Sequence, residues 1–183
     1  MVGAKDGWAG QRLANAEGSA MSFRCPCCGK HHDDLPHVGI DKPDQWWDVP
    51  EEERAQRLVL TEDTCILDNE HYFIRGVIEI PVHDYPDSFG FGVWVSQKRE
   101  NFLAYLQQPD SADIGPFFGW LCTRIAYYED NTLFLKSRAF FREGNLRPLI
   151  ELAPADHPLV VDQRNGITQA KAWEIVHFYD KNA

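Results

Sequence analysis

The sequence predicts an α+β fold: an antiparallel sheet of about five to six strands, two or three packed helices and an N-terminal cysteine-rich knuckle. Three observations predict it. Apolar residues alternate in consecutive segments in the middle of the chain, helical periodicity marks segments before, between and after them, and three of the five cysteines crowd together near the start. Consecutive strands with helices beside them favour α+β layers over alternating βαβ units.

Chain length and composition indicate one domain. The 183 residues, of which 44% are hydrophobic, can supply one core. We therefore expect a flexible tail over residues 1–20 and a single α+β domain over residues 21–183. The odd, clustered cysteines do not resemble a disulfide framework, and we find no apolar run typical of a secretory signal or a membrane span. We expect a cytoplasmic protein with no membrane attachment.

The predicted elements follow from local periodicity. Asp48 and Glu51 have the spacing of a helix cap and its partner, which predicts a short surface helix over about residues 50–60. Alternation predicts strands over residues 72–82 and 89–96, and Ser96 can cap a helix that ends before Pro109. Further strands over residues 119–127, 133–141 and 147–152 would form an antiparallel meander. A final amphipathic helix is predicted by the i, i+3, i+4, i+7 stripe of Ala172, Ile175, Val176 and Tyr179.

The knuckle is the segment with metal chemistry. Cys25 and Cys28 form C-x-x-C followed by Gly29, and His32 follows Cys28 with three residues between, which is typical of zinc ligands. These three residues are the predicted ligands of a structural zinc ion, within a knuckle-like segment of about residues 23–43. The fourth ligand would be an acidic side chain or one of four other residues, namely Cys27, His37, Cys65 or His71. A knuckle that has lost its metal and a redox C-x-x-C remain alternatives.

Several strings in the chain resemble the bacterial family known as domain of unknown function 2199. They are CPCCGKHHDDLP, EHYFIRGVIEIPV, FGVWVS, FGWLC, RPLIEL and HPLVVDQRNGI. The family opening C-P-x-C-G-x-x-H falls on Cys25, Cys28 and His32, which leaves Cys27 as an extra thiol. The resemblance extends over about residues 23–175. It implies a bacterial domain, but it carries over no catalytic residue.

One face of the predicted sheet is a candidate ligand site. If the strand phases hold, Arg75, Glu79, Trp94 and Arg124 share a side on which Gly90 and Gly92 leave room for a ligand. A solvated face, or a face covered by the N-terminal segment, is the alternative. His157 before Pro158 could act as a general base or cap a helix, and Cys65 and Cys122 fit buried positions better than nucleophilic ones.

The negative charge is concentrated in one segment. The chain has a formal net charge of −10, so general nucleic-acid binding is not expected. Residues 41–70 contain ten acidic residues against three basic ones. A solvated helix explains part of this excess. The same segment holds Trp46, Trp47, Glu51, Glu52 and Glu53, and aromatic residues within an acidic rim fit a surface that captures a basic protein partner.

Two functions therefore remain open. The leading interpretation is a non-enzymatic binding or regulatory protein, one that neutralises a toxin or modulates another partner, with a structural zinc knuckle. The alternative is an enzyme that uses Glu79, Arg124 or His157 on a small anionic substrate at the sheet face.

Overall fold

The computed structural model describes residues 23–26, 28–32 and 34–181, and the predicted tail over residues 1–20 lies outside this part of the chain. The helices of the described residues are α1 (Glu51–Arg57), α2 (Arg99–Gln107), α3 (Pro158–Asn165) and α4 (Gln169–Lys181), with a 3-10 turn at Asp44–Trp46. The strands are β1 (Phe23–Arg24), β2 (His31–His32), β3 (Val38–Gly39), β4 (Leu58–Leu60), β5 (Thr64–Leu67), β6 (His71–Ile80), β7 (Val82–His83), β8 (Phe89–Gln97), β9 (Phe117–Trp120), β10 (Lys136–Phe140), β11 (Leu149–Leu152) and β12 (Ile167–Thr168).

The long antiparallel pair β6 and β8 forms the centre of the sheet. Its register places Arg75 opposite Trp94 and Ile78 opposite Phe91. Because successive side chains in a strand point to opposite faces, Ile74, Ile78 and Ile80 enter the larger core cluster, while Phe73 and Trp94 enter a smaller one on the other face. Both strands match the segments that alternation predicts.

The sheet is mixed, so the prediction of an antiparallel sheet is wrong. Its main path runs β3-β8-β6-β11-β10-β9, and β5 adds to β6 with β4 beyond it, which makes eight strands. The predicted meander is present as β9, β10 and β11 and is antiparallel, but the strand predicted over residues 119–127 is wrong beyond Trp120, where β9 ends. However, β11 joins β6 in parallel, β3 joins β8 in parallel, and the separate pair β12 and β7 is also parallel.

The segment that follows β9, the last strand of this path, pairs with β8. Leu121, just after β9, forms an antiparallel bridge with Val95 of β8, and the Cys122 N–H donates to the Trp94 carbonyl at 2.8 Å. Ser137 of β10 is buried and donates its hydroxyl to the Gly119 carbonyl, whereas Lys136 and Arg138 on either side are exposed. The strands β8, β6, β11, β10 and β9 therefore form a ring, because the residues that follow β9 pair with β8.

The helices differ from the prediction in four places. Helix α1 begins after Pro50 and has no side-chain cap, so Asp48 does not cap it. Helix α1 ends at Arg57 because the next three residues pair with β5. Helix α2 begins at Arg99 rather than after Ser96, because β8 continues to Gln97. Helix α3 was not predicted. Helix α4 contains the predicted apolar stripe, of which Ala172, Ile175 and Val176 are buried. Among the described residues, no helix is long and apolar enough to span a bilayer.

Candidate metal centre

A short hairpin positions three of the candidate ligands. Strands β1 and β2 pair antiparallel, and the turn between them is held by hydrogen bonds from the Cys25 N–H to the Lys30 carbonyl and from the Gly29 N–H to the Cys25 carbonyl, both 2.8 Å. Gly29 has a φ of 70°, which a residue without a Cβ adopts without steric cost. The turn thus carries Cys25 and Cys28, and β2 carries His32.

The fourth side chain comes from the other end of the chain. One ligand atom from each of Cys25, Cys28, His32 and His177 lies within 4.8 Å of every other one. The Cys25 Sγ is 3.5 Å from the His177 Nε2, and the Cys28 Sγ is 3.2 Å from the His32 Nε2. Around a tetrahedral zinc ion with bonds of about 2.3 Å to sulfur and 2.0 Å to nitrogen, such atoms lie about 3.5 Å apart. The four residues could therefore hold a metal ion.

Among the described residues, the fourth side chain of this group is His177, which was not one of the candidates that the sequence suggested. Cys65 is buried in the smaller core cluster, and His71 is exposed at the start of β6. His37 lies against Gly90, where its Nδ1 would be 2.5 Å from an added Cβ. Cys27 lies outside the described residues. His177 belongs to α4 and follows Trp173 by four residues, so both side chains lie on the same face of the helix. This spacing can be read from the sequence, but it does not by itself indicate a metal ligand.

The surroundings of the four residues orient both imidazoles. The ring of His32 stacks on Trp173 with centroids 3.7 Å apart and planes 19° apart. The Nδ1 of His177 faces Asp180, whose Oδ2 is 3.8 Å away, so its Nε2 faces Cys25. Cys25 is fully buried, the two histidines are partly buried, and Cys28 is exposed. The group thus lies at the surface with one thiol inside the protein.

The predicted ligand site on the sheet face is already filled. The side chain of Arg75 lies over two glycines, with its Nη2 3.3 Å from a Cβ added to Gly39 and 3.8 Å from one added to Gly92. Trp94 is fully buried, and its indole N–H donates to the Ile40 carbonyl at 3.0 Å. The prediction that Trp94 lines an open ligand site is therefore wrong, because Arg75 and the segment before the 3-10 turn occupy the space.

The other residues of that predicted site have their own partners. Glu79 is 3.4 Å from the Arg142 guanidinium, and Arg124 is 3.5 Å from Asp44. His157 is buried and caps α3, where its Nδ1 accepts the Leu159 N–H at 3.1 Å. This matches the capping role that was one of its two alternatives.

The two other described cysteines are buried thiols. Burial raises the pKa of Cys65 to about 11. Burial also raises the pKa of Cys122 to about 11, against smaller opposing effects from hydrogen bonds with Ser96 and Gln45. At neutral pH both remain protonated, which fits packing rather than nucleophilic chemistry.

The acidic segment has two tryptophans in different environments. The side chain of Trp47 is 60% exposed, whereas Trp46 is partly buried against the smaller core cluster. Lys42 and Arg54 lie over both rings, with the Lys42 Nζ 4.7 Å from the Trp46 centroid. The side chains of Glu51, Glu52 and Glu53 in α1 are all exposed. We use the name acidic surface for Trp46, Trp47, Glu51, Glu52 and Glu53.

Comparison with known proteins yields a family. A family model described as "Uncharacterized protein conserved in bacteria (DUF2199)" matches residues 24–167. The match includes Cys25, Cys28 and His32 but ends before His177. No curated protein and no solved structure gives a match. Because the family model covers most of the chain, the protein belongs to the bacterial DUF2199 family.

Proposed function

We propose that this chain is a non-enzymatic binding protein in which Cys25, Cys28, His32 and His177 hold a structural zinc ion. The observation that carries the proposal is the convergence of four ligand atoms within 4.8 Å from segments 152 residues apart in sequence. Two thiolates and two imidazoles form a common ligand set of structural zinc sites.

The number of ligands separates a structural role from a catalytic one. Catalytic zinc keeps a coordination position open for water or substrate, whereas structural zinc is closed by four protein ligands. Here the protein supplies four. The hairpin of β1 and β2 is only four paired residues, so it has few hydrogen bonds of its own, and a zinc ion would attach it to α4.

Metal analysis of the purified chain tests the zinc proposal. We expect one equivalent of zinc in the wild type and less than a tenth in Cys28→Ser and His177→Ala. His71→Ala is the matched control, because His71 is an exposed histidine outside the group, and it should retain the full equivalent. Zinc-free wild type after growth in zinc-supplemented medium would contradict the proposal, as would full zinc content in His177→Ala.

The acidic surface supports the binding role. An exposed aromatic side chain in a segment rich in carboxylates matches the composition of protein interfaces that capture a basic partner. We propose a regulatory protein that acts by binding such a partner, with toxin neutralisation as one form of this regulation. The enzyme alternative has no comparable support, since Arg75 fills the sheet face on which it depended.

The partner is tested with the products of genes that neighbour the gene of this chain. Their binding to the wild type and to Glu51→Gln/Glu52→Gln/Glu53→Gln is compared at low and high salt. We expect weaker binding by the variant and a smaller salt dependence, because removal of the carboxylates removes the charges that salt screens. If the wild type and the variant bind with equal affinity and equal salt dependence, the acidic surface only keeps the protein soluble and does not bind the partner.

A further inference from the structure

A second surface of the molecule has the opposite composition. Strands β9 and β10 present Phe118, Trp120, Lys136 and Arg138 to solvent, and Phe134 lies just before β10. We call these five residues the aromatic-cationic face. Phe118 and Trp120 are 48% and 38% exposed, and Phe134 is 60% exposed. Two of these large exposed aromatic side chains are neighbours on β9 and the third lies just before β10, and exposed apolar side chains grouped in this way mark an interaction site.

The contacts within this face keep it assembled. The rings of Phe118 and Trp120 meet edge to face with centroids 5.2 Å apart, and the Lys136 Nζ lies 5.9 Å above the Trp120 ring. Arg138 stands opposite Phe118 in the register of β9 and β10. Phe134 has a φ of 64°, a backbone conformation that bulky residues rarely adopt, and yet its ring is not used in the core.

The positive charge of this face favours binding of an anionic partner. In the described part of the chain, neither Lys136 nor Arg138 has an ion-pair partner, although Glu151 stands opposite Arg138 on β11. Unpaired cations beside exposed aromatic rings complement an apolar surface that is rimmed by carboxylates. The chain itself carries exposed carboxylates at Glu51, Glu52 and Glu53, close in sequence to the exposed Trp47.

The two surfaces are neighbours on one molecule. The Asp44 N–H, at the start of the turn that carries Trp46 and Trp47, donates to the Cys122 carbonyl at 2.8 Å. Cys122 follows Trp120 by two residues, and Arg124 pairs with Asp44. When complementary surfaces adjoin, a two-fold axis between them brings each against its complement in the other copy, and this arrangement closes as a dimer.

We propose that the aromatic-cationic face binds the acidic surface of a second copy of this chain, in a two-fold dimer. This inference rests on the acidic surface of the proposed function and identifies its basic partner as a second copy. The net charge of −10 on each copy opposes association only weakly in physiological salt, because salt screens the repulsion between charges that are more than about 8–10 Å apart. Whether two copies associate therefore depends on the charges of the two surfaces that meet in the interface.

Charge reversal in both surfaces tests the dimer by analytical ultracentrifugation of the full chain. The wild type should be a concentration-dependent dimer. Lys136→Glu/Arg138→Glu and Glu51→Lys/Glu52→Lys/Glu53→Lys should each weaken self-association by roughly tenfold or more, because like charges then face each other. An equimolar mixture of the two variants should form a one-to-one heterodimer, since the intact surfaces of each complement those of the other. Arg164→Glu/Lys181→Glu, which reverses two exposed charges elsewhere, is the control and should dimerise as the wild type does.

Several results would overturn the dimer. A wild type that stays monomeric at all concentrations excludes it, and a dimer that survives both reversals uses another interface. Larger open assemblies would contradict the two-fold arrangement. If oligothymidylate quenches the tryptophan fluorescence of a monomeric wild type but not that of Lys136→Glu/Arg138→Glu, the face belongs to single-stranded nucleic acid instead. Zinc content and binding of neighbouring gene products are measured separately, so the proposed function can stand if the dimer fails.

Discussion

The imidazole of His32 stacks on the indole of Trp173 at a centroid distance of 3.7 Å, which joins the N-terminal hairpin to the C-terminal helix. Trp173 is itself buried and packs in the larger core cluster. The same ring is 5.7 Å from that of His177, one helical turn further along α4. A single core residue therefore contacts both imidazoles of the candidate metal centre.

This contact predicts that Trp173 positions the histidine ligands. Trp173→Leu removes the flat surface on which His32 stacks, and we expect zinc affinity to fall by about 10–100-fold, as when supporting groups around metal ligands are lost. Trp173→Phe keeps an aromatic surface and should retain most of the affinity. Competition with a chromogenic chelator measures the affinity, and circular dichroism verifies that each variant is folded. Equal losses in both variants would indicate a packing defect rather than lost stacking.

Chelation should detach the hairpin and leave the sheet intact. The backbone pairing of β1 and β2 involves four residues, whereas β6 and β8 pair along nine positions. Without zinc, amide hydrogen exchange should increase in residues 23–43 far more than in β6 and β8. Hydrogen exchange with mass spectrometry before and after chelation provides the comparison. A uniform increase along the chain would mean that the metal stabilises the whole fold rather than its edge.

Local patterns predicted the parts of the fold that depend on local periodicity. The alternation in β6 and β8 and the stripe in α4 are short-range signals, and the structure has these elements within a few residues of the prediction. The parallel pairings of β3 and β11 join segments that are distant in sequence, and no pattern within a strand specifies such a neighbour. Helix α3 did leave readable signals, since His157 and Pro158 begin it and Gly166 follows its end.

In the candidate sites, too, contacts between residues close in sequence were predictable and contacts between distant residues were not. The spacing of Cys25, Cys28 and His32 was enough to predict that these three converge, because a tight turn is local. His177 is 152 residues from Cys25, so only the packing of α4 brings it there. The glycines of β8 did indicate positions where the strand leaves room for another group. The protein fills that space itself, with Arg75 over Gly92 and His37 over Gly90.

The two buried thiols predict a loss of stability at alkaline pH. Their folded-state pKa values are about 11, against 9.0 without burial, so the unfolded chain releases these protons first. Their contribution to the free energy of unfolding is complete below pH 9.0 and is lost as the pH rises towards 11, by about 1.4 kcal/mol per pH unit for each thiol. Urea unfolding at a series of pH values should show a shallower decline in Cys65→Ala/Cys122→Ala. An identical decline in both proteins would contradict the assignment.

The closure of the strand ring predicts that Gly119 tolerates no side chain. A Cβ at this position would overlap the Ser96 carbonyl oxygen of β8 and lie 2.9 Å from the Gln97 Nε2. A backbone carbonyl cannot move aside without separating β8 from β9, so Gly119→Ala should lower the free energy of unfolding by about 2–3 kcal/mol. Gly92→Ala is the matched control in the neighbouring strand, because its nearest contact, the Gly39 Cα, lies at an ordinary 3.4 Å. This control should change stability by less than about 1 kcal/mol. Chemical denaturation of both variants decides the matter, and a Gly119→Ala protein as stable as the wild type would show that β9 does not pack directly on β8.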